Sequence, residues 1–438
     1  MPITPSYNNS DLGIYLSHRG DFTTGDIISG IVTRNSPFVA AEAIISVQLV
    51  GRVKTLVVKS NGQTSTTYRG RLTLFNTSDL NIIVHCGPIH IPVGGEGQQW
   101  PFSIRIPTYP IDPAIEPERR QDGIISIEQV RQRALPPSFC FDRRKAFIEY
   151  YLEATLQATH KPSYSATQPI QIYSSASPIP LTDFDIKPSE GKMHQVISQR
   201  LVPGMEHTEL SFRQRTNKFF HSSKVPYYSF MVEVQAGSLI QLQNPNFFPF
   251  QVTAKPHWAG TSNSIVDVPQ TISIDAFELN LESTVGYLTP RTRIQKKTTN
   301  YCLKSFHAPL VHADVTFASS GPSSSPLPSD SGKQPEKVAS DLGITGAQPP
   351  PYNGQLALLV DNKAHPLDLG HLLSIRTDRV QATQLKPTFK TFNICHEARL
   401  KWTLSLSVAG ETIISKGSCN VSILGPSEEQ LSSEPIVV

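Results

Sequence analysis

The feature that most constrains this chain is a repeated alternation of apolar and polar residues with a period of two. An extended backbone sends successive side chains to opposite faces of a sheet. Ile45, Val47 and Leu49, set between Ser46 and Gln48, therefore read as a strand with one buried and one wet face. The pattern recurs at Leu72 and Leu74, at Phe102, Ile104 and Ile106, and over Ile148, Tyr150, Leu152, Ala154 and Leu156. It returns at Phe230, Val232 and Val234, at Ile272 and Ile274, at Phe277, Leu279 and Leu281, and at Leu400, Trp402, Leu404, Leu406 and Val408. Long helices are disfavoured by 36 prolines and 26 glycines among 438 residues, since Pro removes a backbone donor and Gly costs entropy. Short antiparallel strands broken by turns predict an all-β chain built from sandwiches. One segment departs from the pattern. Ser126 as cap, Gln129 three residues on, and Ile127, Val130 and Ala134 before Leu135-Pro136-Pro137 predict a short helix, with an irregular loop as the alternative.

Two elements repeat in the same order. Trp100-Pro101-Phe102-Ser103-Ile104 has a counterpart in Phe248-Pro249-Phe250-Gln251-Val252, and Leu135-Pro136-Pro137-Ser138-Phe139 has one in Leu385-Lys386-Pro387-Thr388-Phe389. A long alternating strand follows the second element each time, which predicts two related sandwiches in tandem. The expected organisation is a first sandwich over 1–176, a linker over 177–188, a second sandwich over 189–426 and a short, frayed acidic tail over 427–438. The Ser/Pro-rich stretch 318–354 inside the second sandwich offers almost no large apolar residue to bury, which predicts a disordered loop.

Composition excludes several functions. Lys plus Arg number 39 against 36 Asp plus Glu, a net charge of +3 with no basic block, so nucleic acid is not an expected partner. No run approaches the roughly 18 apolar residues of a membrane helix, and Met1-Pro2-Ile3-Thr4-Pro5 lacks the layout of a secretory signal. A cytoplasmic location follows as an expectation. Cys86, Cys140, Cys302, Cys395 and Cys419 are odd in number and scattered, which predicts reduced thiols serving as small core residues. No nucleophile elbow, phosphate loop or zincin motif occurs. Gly94-Gly95-Glu96-Gly97 has no helix after it to hold a phosphate, and His85, Cys86 and His90 lack a credible fourth ligand. Neither enzymatic activity, cofactor nor metal is expected.

The order of landmarks resembles the arrestin family. Gly25-Asp26-Ile27-Ile28-Ser29-Gly30, Ile44 to Gly51, Trp100 to Pro107 and Leu135 to Phe139 are similar to successive elements of an arrestin N-terminal domain. Pro387 to Ile394 is similar to an element near the end of its C-terminal domain. Within the family the nearest type is the fungal α-arrestins, the arrestin-related trafficking adaptors. The resemblance implies two packed immunoglobulin-like β-sandwich domains, no catalytic centre, and a role linking membrane cargo to a ubiquitin ligase.

One short motif carries that mechanism. Pro349-Pro350-Pro351-Tyr352 fits the P-P-x-Y pattern taken by WW domains. Consecutive prolines are already held in a polyproline II helix, so an aromatic groove binds them at little ordering cost while the tyrosine anchors the contact. The bland alternative is a rigid Pro-rich linker. A WW-domain HECT ligase of the Nedd4 class docked on Pro349, Pro350 and Tyr352 makes Lys333 and Lys337 candidate ubiquitin acceptors, against simple solvated charges. Ser325, before Pro326, is a candidate proline-directed phosphosite. Arg143, Arg144 and Lys145, with Arg291, Arg293, Lys296 and Lys297 further on, are candidate contacts to anionic lipid, or strand ends guarded against aggregation. The expected partners are the ligase, cargo tails and an anionic membrane surface, with peripheral placement at the plasma membrane or endosomes. The rival reading is a retromer-like sorting scaffold of the same fold without a ligase.

Overall fold

The computed structural model describes residues 3–18, 22–76, 78–116, 122–174, 177–206, 208–209, 225–307, 356–360, 366–377 and 385–433. They form an all-β sandwich structure in two halves. In the first half, β1 (Gly13–Leu16), β2 (Ile27–Arg34) and β6 (Gln98–Arg105) form a small sheet in the order β1-β2-β6. Opposite it lies a larger sheet in the order β9-β8-β3-β4, from β3 (Phe38–Ser60), β4 (Ser65–Thr73), β8 (Ala146–Ala158) and β9 (Tyr164–Ile170). Strand β5 (Asn81–Ile91) pairs with the first part of β3, and the short β7 (Phe139–Phe141) pairs with β8.

The second half repeats this plan. A small sheet runs β10 (Ile186–Pro188), β11 (Tyr227–Gly237), β12 (Phe250–Pro256). The larger sheet runs β18-β17-β13-β14, from β13 (Gln270–Tyr287), β14 (Gln295–His307), β17 (Ile394–Val408) and β18 (Glu411–Leu424). As β5 lies on β3 and β7 on β8, so β15 (Leu356–Val360) lies on β13 and β16 (Phe389–Lys390) on β17. The repeated motifs occupy similar places: Trp100 and Phe102 lie in β6 while Phe250 opens β12 with Phe248 two residues ahead of it, and Phe139 starts β7 as Phe389 starts β16.

The alternation becomes the core. Ile148, Tyr150, Leu152, Ala154 and Leu156 are all buried on the inward face of β8. The change of phase from Ile272 and Ile274 to Phe277, Leu279 and Leu281 has a cause in β13, where register against β17 breaks between Ile274 and Ala276. Asp275 is the extra residue of a bulge, which returns Phe277 to the inward face. The Leu-Pro-Pro element is tied down by Tyr150, whose buried Oη donates to the Pro136 carbonyl at 2.6 Å. Gly51 faces Tyr150 across the ladder, and a Cβ there would lie 2.8 Å from the Tyr150 ring and 2.7 Å from Phe75. Only glycine leaves room for both rings.

Each half has its own hydrophobic cluster, and the two meet at a built junction. The first cluster takes in Val285, Tyr287, Phe392 and Ile394 from the second half; each such burial contributes about 1.5–3 kcal/mol. Phe139 meets Phe389 edge-on at 4.9 Å, and Phe141 meets Tyr287 at 6.3 Å. Buried Thr55 donates from Oγ1 to the Leu288 carbonyl at 2.6 Å, and Ile124 N–H donates to the Phe392 carbonyl at 2.7 Å.

Three expectations are refined. The helix is present as α1 (Ile127–Arg131), with Ser126 Oγ accepting from Gln129 N at 3.2 Å and Gln129 Oε1 accepting from Ser126 N at 3.0 Å. The start of the acidic tail is not frayed: Glu428–Ser433 forms α2, capped by buried Ser427, and Glu428 N–H donates to the Ser177 carbonyl at 3.0 Å. The cysteines are not uniformly core residues. Cys86, Cys140 and Cys302 are exposed, Cys419 is half-buried and Cys395 alone is buried, because alternation put the first three on outward or edge positions.

Candidate binding surfaces

Pro349, Pro350 and Tyr352 lie outside the described residues, as do Ser325, Lys333, Lys337 and the whole stretch 318–354. What is described is their frame. Strand β14 ends with His307 beside Ala276, and β15 begins with Leu356 beside Ile274. The chain therefore leaves and returns at neighbouring positions on β13. Tyr352 precedes Leu356 by four residues, a span of at most about 14 Å when fully extended.

The basic turn Arg143-Arg144-Lys145 joins β7 to β8. Asp142, Arg143 and Arg144 have φ of 46°, 52° and 69°, a left-handed run that reverses the chain tightly and leaves both arginines exposed. Lys145 Nζ lies 2.8 Å from Asp142 Oδ2, and Lys297 Nζ reaches Asp142 Oδ1 at 3.7 Å from β14. The hydrogen bond from Lys145 holds the Asp142 carboxyl below its ordinary range, with the charges of Lys145 and Lys297 adding to it against a small cost of desolvation. Parts of the two basic runs, far apart in sequence, thus share one carboxylate at the junction. Lys145 and Lys297 are engaged there, while Arg143 and Arg144 have no ion-pair partner among the described residues.

Beside the junction, a cleft of about 710 Å³ opens between Arg133, just past α1, and the outward face of β13, β14, β17 and β18. Its wall carries Glu282, Lys296, Lys390, Glu397 and Arg399 over a floor of Thr284, Thr298 and Asn420. Glu282 is taken by Lys401, and Glu397 by Lys390 at 2.5 Å. The Lys390 hydrogen bond, with Lys296 and Arg399 adding their charge, keeps the Glu397 carboxyl below its ordinary range despite partial burial. Thr284 and Thr298 share a hydrogen bond of 3.0 Å, and Arg399 Nε donates to Asn420 at 3.3 Å. Cations outnumber carboxylates along the wall, so the cleft attracts anions. Sequence reading missed it: Glu282, Thr284, Glu397 and Arg399 are ordinary polar members of alternating strands until β13 and β17 are paired.

At the back of the cleft His396 is buried between the halves. Nδ1 faces the Pro387 carbonyl and Nε2 faces Ser283 Oγ, both at 2.7 Å, and the ring stacks on Phe139 at 6.1 Å. Burial holds its pKa below the ordinary imidazole value, partly offset by the Pro387 hydrogen bond. On the first half, buried Glu149 collects Arg52 Nε at 2.6 Å, Lys54 Nζ at 2.8 Å and the Thr4 N–H at 2.8 Å. Burial opposes its ionisation, yet the hydrogen bonds from Lys54, Thr4 and Arg52 win and hold the carboxyl below its ordinary range.

Among the described residues, no group of three or more His, Cys, Asp or Glu gathers as a metal set. His85 packs against Trp100 at 5.7 Å while neighbouring Cys86 is exposed. No described helix is long and apolar enough to cross a membrane. No protein-family model matches the chain, and no curated protein matches its sequence. Fold and surfaces together define an all-β sandwich protein with a charged cleft beside the junction of its halves.

Proposed function

We propose that this chain is a non-enzymatic, arrestin-like adaptor that brings a WW-domain HECT ubiquitin ligase to membrane cargo and so promotes cargo ubiquitination and endocytosis. The observation that carries the reading is Pro349-Pro350-Pro351-Tyr352 in a connection whose two ends sit side by side on one strand of a large sheet. A ligase bound there is tethered within a short reach of the sandwich, so its active site stays near whatever the sandwich holds. Two further features agree with an arrestin-like plan: the repeated strand order of the halves and the buried junction that couples them. Arg143 and Arg144 supply exposed positive charge for an anionic membrane surface, with Lys145 serving Asp142 instead. Lys333 and Lys337, near the motif in sequence, are the candidate self-ubiquitination sites, and Ser325 the candidate phosphosite.

A peptide covering residues 348–353 titrated against WW domains of the Nedd4 class tests recruitment. Micromolar binding that Tyr352→Ala weakens at least tenfold is expected. Binding unchanged by that substitution sinks the reading.

A further inference from the structure

The cleft beside the junction holds more positive charge than its own carboxylates neutralise. Arg133, Lys296, Lys390 and Arg399 line it against Glu282 and Glu397. Both carboxylates are already taken, Glu397 by Lys390 and Glu282 by Lys401. Arg133, Lys296 and Arg399 therefore have no carboxylate partner among the described residues. They come from three places in the chain: Arg133 follows α1 in the first half, while Lys296 on β14 and Arg399 on β17 belong to the second. Strand register surrounds them with neutral polar groups, since Thr284 lies between Thr298 and Glu397 while Arg399 lies between Glu282 and Asn420. The volume of about 710 Å³ suits a compact molecule. A guanidinium presents a planar fork of donors that matches phosphate oxygens, and the Lys296 ammonium adds a point charge. Glu282 and Glu397 limit how much negative charge can enter, so one phosphate fits better than a chain of carboxylates. Thr284, Thr298 and Asn420 each donate and accept hydrogen bonds, which hydroxyl groups on the same molecule would satisfy.

We propose that the cleft binds a small phosphorylated polyol, its phosphate held by Arg399, Lys296 and Arg133 and its hydroxyls by Thr284, Thr298 and Asn420. Because Arg133 belongs to the first half and the other groups to the second, the bound molecule ties the halves together at their junction. A ligand that binds only the folded, joined state raises the stability of that state by mass action. The site uses no residue of the proline motif and does not depend on ligase recruitment.

Calorimetric titration of the full chain with glucose 6-phosphate, glycerol 3-phosphate and inositol 1-phosphate tests this. At least one of them should bind with a dissociation constant below about 1 mM, at least about tenfold tighter than inorganic phosphate or hexaglutamate, and should raise the melting temperature. Arg399→Gln and Arg133→Gln, both at exposed positions, should each weaken that binding at least about tenfold and leave the melting temperature of the free chain unchanged. Lys416→Gln removes an exposed cation from the same sheet outside the cleft and should bind as wild type. Failure of all three probes to bind overturns the proposal, as does binding that both arginine variants leave unchanged. Hexaglutamate bound as tightly as the phosphorylated probes assigns the cleft to an acidic peptide and overturns it equally. Flotation with vesicles containing phosphatidylinositol 4-phosphate, lost in Arg399→Gln and competed by inositol 1-phosphate, places the same chemistry on a lipid headgroup; binding of the free probes without flotation places it in solution.

Discussion

Acidification should weaken the junction between the halves through His396. The imidazole is buried, with both nitrogens at 2.7 Å from their partners, and burial holds its pKa below the ordinary value. The native state therefore resists a proton that the unfolded chain accepts. The stabilisation this brings is complete above the unfolded pKa of about 6.5 and is lost as pH falls below it. Each pH unit below about 6.5 costs at most about 1.4 kcal/mol, so going from about pH 7.5 to about pH 5 removes at most about 2 kcal/mol. The groups facing the site do not confuse the result: Lys296, Lys390 and Arg399 stay cationic, and Glu397, its pKa lowered, stays ionised. Denaturant unfolding of wild type and His396→Gln, followed by tryptophan fluorescence across that range, measures the difference. The variant starts less stable by about 1–3 kcal/mol because one hydrogen-bond partner is left unpaired, but it should show the shallower pH slope. His194, half-buried and likewise lowered by desolvation, is common to both proteins and cancels. Equal slopes would refute the reasoning.

Glu149→Gln should cost about 2–4 kcal/mol, since it leaves Arg52 and Lys54 largely buried without their carboxylate. Because the native Glu149 carboxyl is held below its ordinary range, its contribution is present above about pH 4.5 and fades as pH drops further; denaturation midpoints at pH 7 and pH 4 read both effects. In native protein a thiol reagent should label Cys86, Cys140 and Cys302 quickly, with Cys395 reacting only on unfolding. Burial raises the Cys395 and Cys419 thiol pKa values, which slows them further; rapid labelling of Cys395 would contradict its placement. Gly51→Ala should destabilise the first half by several kcal/mol, because its Cβ collides with Tyr150 and Phe75, seen as a fall in melting temperature.

Much of the fold was legible in the sequence, because alternation states which face of a strand is buried. The runs around Ile45, Leu72, Ile104, Ile148, Val232, Leu279 and Leu404 all became strands with those residues inward. The two repeated motifs marked similar places in the two halves. Alternation does not state what covers a face. Val285, Tyr287, Phe392 and Ile394 carried no sign that they would join the first core. The cleft escaped notice because facing pairs such as Glu282 with Arg399 and Thr284 with Glu397 are more than a hundred residues apart and meet only through the register of β13 with β17. Exposure of Cys86 depended on its place in an edge strand, which no local pattern reveals. The tail helix depended on Ser427 and on a distant acceptor at Ser177.

Recruitment is read most directly by calorimetric titration of the full chain with a Nedd4-class WW domain. Wild type should bind in the micromolar range, with at least a tenfold loss in Tyr352→Ala. Equal affinity for wild type and Tyr352→Ala, or no binding by either, would contradict it.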